Sequence, residues 1–337
     1  MEIFGSAFDD SVFEDSRNKV SVALSSYDAK LCEPKWFCGD VAAQEELEQQ
    51  KILKFRADLS FRQREYEKAM QDYISCLALV PKGNVTIRRD ILESQARCYC
   101  HLGQQEASLE ITDTLRKEAT NTGHLTSTLN LLLTIHQRFG NLCEEISALQ
   151  ELISLHPYNP WYWQRLAQGY LSRLLSLSAS PETTSCCRGD GPGPAENGRC
   201  HLGLHRDHRI HESQEQQDEV WLKATMSFVR TRLLVRLLRI QQSSFVLQRT
   251  ERAQREADEA LQRLGAEETT LCLVSKVMSE DLSPERMRED SQDGESLAGL
   301  RAPDVDERWF KKLKQAAVLL KDNRIRGALN TQAPDPD

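Results

Sequence analysis

The chain has 337 residues, room for one large or two small domains, and carries 43 Lys+Arg against 51 Asp+Glu for a net charge of −8. The acid is concentrated: residues 1–50 hold eleven Asp/Glu against four Lys/Arg, and residues 280–307 ten against three. The body between them lacks the basic stripe that a phosphate backbone demands, and no apolar run approaches the ~18 residues of a membrane span, so neither nucleic acid nor a membrane is the expected ligand. Ten cysteines in a chain of this length do not make a disulfide framework. Several sit in helix-like surroundings ("ARCYCHLG", "NLCEEI", "TTLCLV"), where a free thiol packs as a small hydrophobe. With no basic n-region or apolar h-region in "MEIFGSAFDDSVFED", a reducing intracellular compartment, cytoplasm or nucleus, is expected.

In chain order, residues 1–44 form an acidic, aromatic arm, expected to be largely extended and to dock on the body through Trp36 and Phe37. From 45 to 177 the apolar spacing is helical throughout, and Gly and Pro gather at the joints "PKGN", "HLGQ", "RFGN" and "HPYNP". Residues 178–214 are rich in Gly, Pro, Cys and His and poor in large apolar side chains, so they are expected to be a disordered insertion. Helices resume over 215–279, in "DEVWLKATMSFVRTRLLVRLLRI" (218–240), "ERAQREADEALQRLG" (251–265) and "TTLCLVSKVM" (269–278). Residues 280–307 read as an acidic linker, and 308–337 as an amphipathic helix and tail. The fold class is all-α.

The helical block repeats. "REYEKAMQDYISCLALVP" (64–81), "ESQARCYCHLGQQEASLEI" (93–111) and "QRFGNLCEEISALQELISLHP" (137–157) carry small residues, aromatics and a terminating proline in related order. "HPYNPWYWQRLAQGY" (156–170) adds Trp163, Leu166, Ala167 and Tyr170. These stretches resemble the tetratricopeptide repeat, a helix–turn–helix unit that stacks into a superhelix. Small residues (Ala57, Ala96 and Ala167; Ala69 and Ser108) fall where the two helices cross, and Pro81 and Pro157 follow second helices. The repeat departs from the family at Arg56, where Leu belongs, and at Glu145, where a small residue belongs. The fourth repeat lacks a second helix locally; the 218–240 helix is expected to return and fill that slot against Trp163 and Tyr170, the alternative being that 156–170 is a capping helix and the later helices are a separate unit. Beyond the repeats, "DDSVFED", "AKLCEPKWF", "ISLHPYNPWYW", "SFVRTRLL" and "RWFKKLK" are similar to stretches of an uncharacterised vertebrate protein family. That resemblance leaves out the Gly/Pro-rich insertion and implies no activity.

The tetratricopeptide resemblance implies a concave groove lined by first helices that holds an extended protein or peptide partner. Its groove positions fall on Lys51, Lys54, Asp58 and Arg62, on Asp90, Glu93, Arg97 and His101, and on Ser127, Asn130, Thr134 and Gln137. The family's clamp for a C-terminal carboxylate needs Asn where Asp58 stands, and Lys and Arg where Ser127 and Leu131 stand. A chaperone C-terminal tail is therefore not the expected partner. Cys186, Cys187, Cys200, His201, His205, His208 and His211 are possible soft ligands, but they lack a C-x₂-C pair, so no metal is expected. Arg232, Arg236 and Arg239 line one side of 218–240; the expected role of that helix is packing, with its arginines meeting the acidic arms. No Walker-type loop, G-x-S-x-G or H-E-x-x-H is present, so neither catalysis nor a cofactor is expected. The reading is a non-catalytic interaction scaffold. The alternatives are a metal-dependent regulator using the Cys/His insertion, or a protein bound to a membrane surface through 218–240.

Overall fold

The computed structural model describes residues 36–38, 45–179, 203–241, 244–287 and 303–316, and among these the chain is helical with no strand. A 3₁₀ turn, Trp36–Cys38, precedes α1 (Glu46–Arg62), α2 (Tyr66–Leu79), α3 (Val85–His101), α4 (Gln105–Lys117) and α5 (Thr122–Phe139). There follow α6 (Leu142–Leu155), α7 (Pro160–Ala179), α8 (Gly203–Gln241), α9 (Ser244–Arg263) and α10 (Glu268–Ser279). A last helical stretch, α11 (303–316), contains a π-helical turn at Asp306–Phe310.

From α1 to α9 each helix packs most heavily on a chain neighbour, which makes a series of helical hairpins, α1/α2, α3/α4, α5/α6 and α7/α8, while α10 packs on α8 and α11 on α6. The three hairpins with short connections use one turn. Arg64, Gly103 and Gly140 adopt left-handed backbone at φ 66°, 79° and 72°. In each, the following residue donates its amide back to the last turn of the first helix: Glu65 to Ser60, Gln104 to Tyr99 and Asn141 to His136, all at 2.9 Å. This paired C-cap satisfies carbonyls that the helix end leaves free and reverses the chain. Between hairpins, Pro81 and Pro157 follow α2 and α6 closely, where a residue without an amide donor cannot extend the helix. Asn84 and Asn121 accept amides at the starts of α3 and α5.

The small residues expected at helix crossings are there: Ala57, Ala69, Ala96, Ser108 and Ala167 are all fully buried. The two departures have local compensations. Arg56 makes a two-pronged ion pair with Asp72 across α1/α2, at 2.8 and 2.6 Å. Glu145 stays half-buried and accepts a hydrogen bond from Gln137 at 2.6 Å. Two small apolar clusters serve the first hairpins, centred on Tyr73 and Ile91 and on Leu131 and Ile135. One large cluster joins α5–α11 through Leu149, Trp163, Phe228, Val229, Trp309 and Leu313.

Among the described residues α7 and α8 make the most extensive helix contact, and Val220, Ala224, Phe228 and Val229 lie in one core with Trp163, Leu166 and Tyr170. Three expectations need correction. First, α8 begins at Gly203, so the last part of the segment read as a disordered insertion is helical backbone. Residues 180–202, with Cys186, Cys187, Cys200 and His201, lie outside the described residues, as do the side chains of His205, His208 and His211. Second, the region read as an acidic linker supplies core: Asp281 is 8% exposed, Val305 is fully buried, and Leu282 packs on the main cluster. Third, the α8 arginines divide among the described residues: Arg230 meets Asp281 of the acidic 280–307 stretch as expected, whereas Arg232 pairs with Asp258 of α9 at 3.5 Å and Arg239 with Glu251 at 3.9 Å.

Candidate functional site

Alternate helices are cross-linked by polar side chains. Lys54 of α1 reaches Asp90 of α3 at 2.9 Å. Arg89 of α3 donates to Thr128 of α5 at 3.2 Å, and Arg138 of α5 to the carbonyl of His101 at 3.0 Å. Asn130 of α5 donates to the Tyr162 hydroxyl of α7 at 3.1 Å, and Arg165 of α7 to Gln137 at 2.7 Å. Gln164 of α7 donates to Glu256 of α9 at 2.8 Å, while Arg249 of α9 lies 3.8 Å from the Trp161 ring centre. The helices α1, α3, α5, α7 and α9 thus form one layer with polar links from each to the next.

The expected groove residues distribute along this layer but do not converge. Lys54 is held by both Asp58 and Asp90, at 3.0 and 2.9 Å. Burial pulls its pKa down, yet the hydrogen bonds to Asp90 and Asp58 outweigh that and leave it raised. Asp58 also accepts the Tyr73 hydroxyl at 2.7 Å, and burial with that bond drives the Tyr73 phenol far above its ordinary range. Lys54 is therefore committed inside the protein, which removes the one cation suited to a carboxylate clamp. Glu93 and Arg97 satisfy each other at 2.6 Å. His101 stacks flat on Tyr66 at 4.3 Å, and burial first, then Arg138, Arg97 and Arg64, hold its pKa down. Asn130 also binds the Thr126 carbonyl, Thr134 the Asn130 carbonyl, and Ser127 the His124 carbonyl. Gln137 bridges Glu145 and Arg165. Lys51 and Arg62 are exposed and make no ion pair with a described residue.

The most densely connected polar group went unread in the sequence. Arg230 has no exposed surface; it donates to the Met278 carbonyl and to both Asp281 oxygens, at 2.5 and 3.1 Å. Tyr158, Trp163 and Trp309 surround its guanidinium at 5.6–5.8 Å from their ring centres. Asp281 further accepts from Arg308 and from the Trp309 indole, both at 3.2 Å. Burial holds the Arg230 pKa below its ordinary value, and the hydrogen bond to Asp281 counters this only in part. Nearby, a cleft of about 450 Å³ opens between α6, α7, α8 and α11, lined by Gln150, Tyr170, Arg173, Glu219, Lys223 and Asp306. Lys223 spans it, pairing with Glu219 at 2.9 Å and Asp306 at 2.8 Å. Among the described residues no group of three His, Cys, Asp or Glu is arranged to hold a metal ion, and no helix is long and apolar enough to cross a membrane.

A family of unknown function, DUF5588, matches residues 2–190 and 202–324. The chain belongs to this family. Two relatives match most of it: the uncharacterized protein C8orf76 homolog of Rattus norvegicus is 36% identical over 350 residues, covering 93% of this chain and 94% of the relative. The uncharacterized protein C8orf76 of Homo sapiens is 33% identical over 358 residues with the same coverage. No solved structure matches the chain. The family therefore spans both the first hairpins and the α7–α11 unit, including Arg230 and Asp281.

Proposed function

We propose that this DUF5588 chain is a non-catalytic interaction scaffold of the tetratricopeptide-like kind, holding an extended protein or peptide segment along its layer of first helices. The observation that carries this reading is that layer: α1, α3, α5, α7 and α9 linked side by side through Lys54–Asp90, Arg89–Thr128, Asn130–Tyr162 and Gln164–Glu256. Repeated hairpins of this kind present a long face whose polar groups can bind main-chain amides and carbonyls. The partner is not a C-terminal carboxylate, because Lys54 is neutralised between Asp58 and Asp90. Nor does 218–240 serve a membrane surface: Val229 and Arg230 are fully buried, so its apolar face is spent on α7 and α11.

Proximity labelling of the full chain in cells, with mass spectrometry, tests the proposal. The wild type should mark a reproducible partner set that is lost when Asn130, Thr134 and Gln137 are all changed to Ala while helix content is kept. An identical set for the variant, or no reproducible set for the wild type, refutes the reading.

A further inference from the structure

α1 is the first helix of the layer, and among the described residues only the Trp36–Cys38 turn and the α2–α3 side pack on it. Its outward stripe runs through Leu47, Lys51, Phe55 and Arg62, positions that helical periodicity places on one side. Leu47 is 57% and Phe55 48% exposed, while Lys51 and Arg62 have no ion-pair partner among the described residues. The stripe is thus apolar and basic at once. Trp36 and Phe37 already lie on its middle, with ring centres 6.1 and 5.7 Å from that of Phe55. Trp36 therefore anchors the preceding segment on this stripe.

What precedes Trp36 has the complementary chemistry. The segment "IFGSAFDDSVFED" (3–15) alternates Ile3, Phe4, Phe8 and Phe13 with Asp9, Asp10, Glu14 and Asp15. We infer that segment 3–15 docks on the Leu47–Lys51–Phe55–Arg62 stripe of α1, its phenylalanines covering Leu47 and Phe55 and its carboxylates meeting Lys51 and Arg62. The twenty residues from 16 to 35 reach up to ~65 Å when extended, ample to return along a helix about 25 Å long. Tethering at Trp36 gives the segment an effective concentration on the order of millimolar at the stripe, which a second copy in solution does not match. Stacked repeats need a cap on the terminal helix, and the family match runs unbroken from residue 2 through the stack to residue 190. On this inference segment 3–15 serves as that cap, independently of any partner bound along the rest of the layer.

The test is photo-cross-linking in the full-length chain with Phe55→p-benzoylphenylalanine, using an equal mixture of light and heavy-isotope protein. Adducts should map to residues 3–15 and join light to light and heavy to heavy. The pair Lys51→Glu and Arg62→Glu should cut their yield about fivefold, as loss of two exposed ion pairs predicts. Lys68→Glu, whose ammonium pairs with Glu65 on the far side of the turn, should leave the yield unchanged. Light–heavy adducts would assign the stripe to a second copy and overturn the inference. So would adducts confined to residues 36–38, or none at all, from a variant with native helix content.

Discussion

At Arg230 a full charge sits with no exposed surface among three aromatic rings, and Asp281 answers it across 51 residues of sequence. Removing one partner of such a pair leaves an uncompensated buried charge, which costs about 3–5 kcal/mol, whereas replacing both by apolar groups costs far less. Asp281→Asn strands Arg230 and Arg308 together and is expected to lose that amount in urea denaturation. Arg230→Met/Asp281→Asn should be more stable than Asp281→Asn alone, because the stranded charge is gone. A double variant less stable than the single would show that the ion pair is not what the core protects. None of this was legible beforehand: Arg230 shares a helix with Arg232, Arg236 and Arg239, and Asp281 stands in an acidic run, so both resemble surface residues. Lys54 misled similarly, since its pairing with Asp90 depends on two helices meeting, which local spacing does not encode.

The helices were far more readable, because apolar periodicity and the Gly/Pro joints act locally. "HLGQ" and "RFGN" mark the turns at Gly103 and Gly140, where only glycine enters left-handed backbone without cost. The equivalent turn in the first hairpin holds Arg64 at φ 66°, with its side chain exposed. A residue with a Cβ pays roughly 1–2 kcal/mol there. Arg64→Gly is therefore predicted to stabilise the chain by about 1 kcal/mol after the added unfolded-state freedom is subtracted. Gly140→Arg should destabilise it by a similar amount, both read from thermal or urea unfolding. If Arg64→Gly destabilises, the exposed side chain contributes something the turn geometry does not show. The helical part of α11 from Arg308 on was legible, but its start at 303 and the Trp309 contact with Trp163 at 5.0 Å were not, because they draw on partners far away in the sequence.

At the scale of the molecule, burial is graded along the stack. The first hairpins rest on two small clusters, while α5–α11 share one continuous core braced by Arg230 and by the indoles of Trp163 and Trp309. Where helical hairpins contact mainly their neighbours, each gains stability mainly from them, so a weak end opens before a strong one. Four of the five tryptophans, Trp161, Trp163, Trp221 and Trp309, lie in the strong half; in a Trp36→Phe background, fluorescence reports that half alone. Hydrogen exchange in α1–α3 should then show a lower urea midpoint than the fluorescence. Ile91→Ala, a fully buried truncation in the first cluster costing about 2–5 kcal/mol locally, should lower the exchange midpoint and leave the fluorescence midpoint nearly fixed. Leu149→Ala, equally buried in the large core, should move the fluorescence. Coincident transitions that shift together under either substitution would mean that the polar links Lys54–Asp90 and Arg89–Thr128 couple the layer more tightly than its separate cores imply.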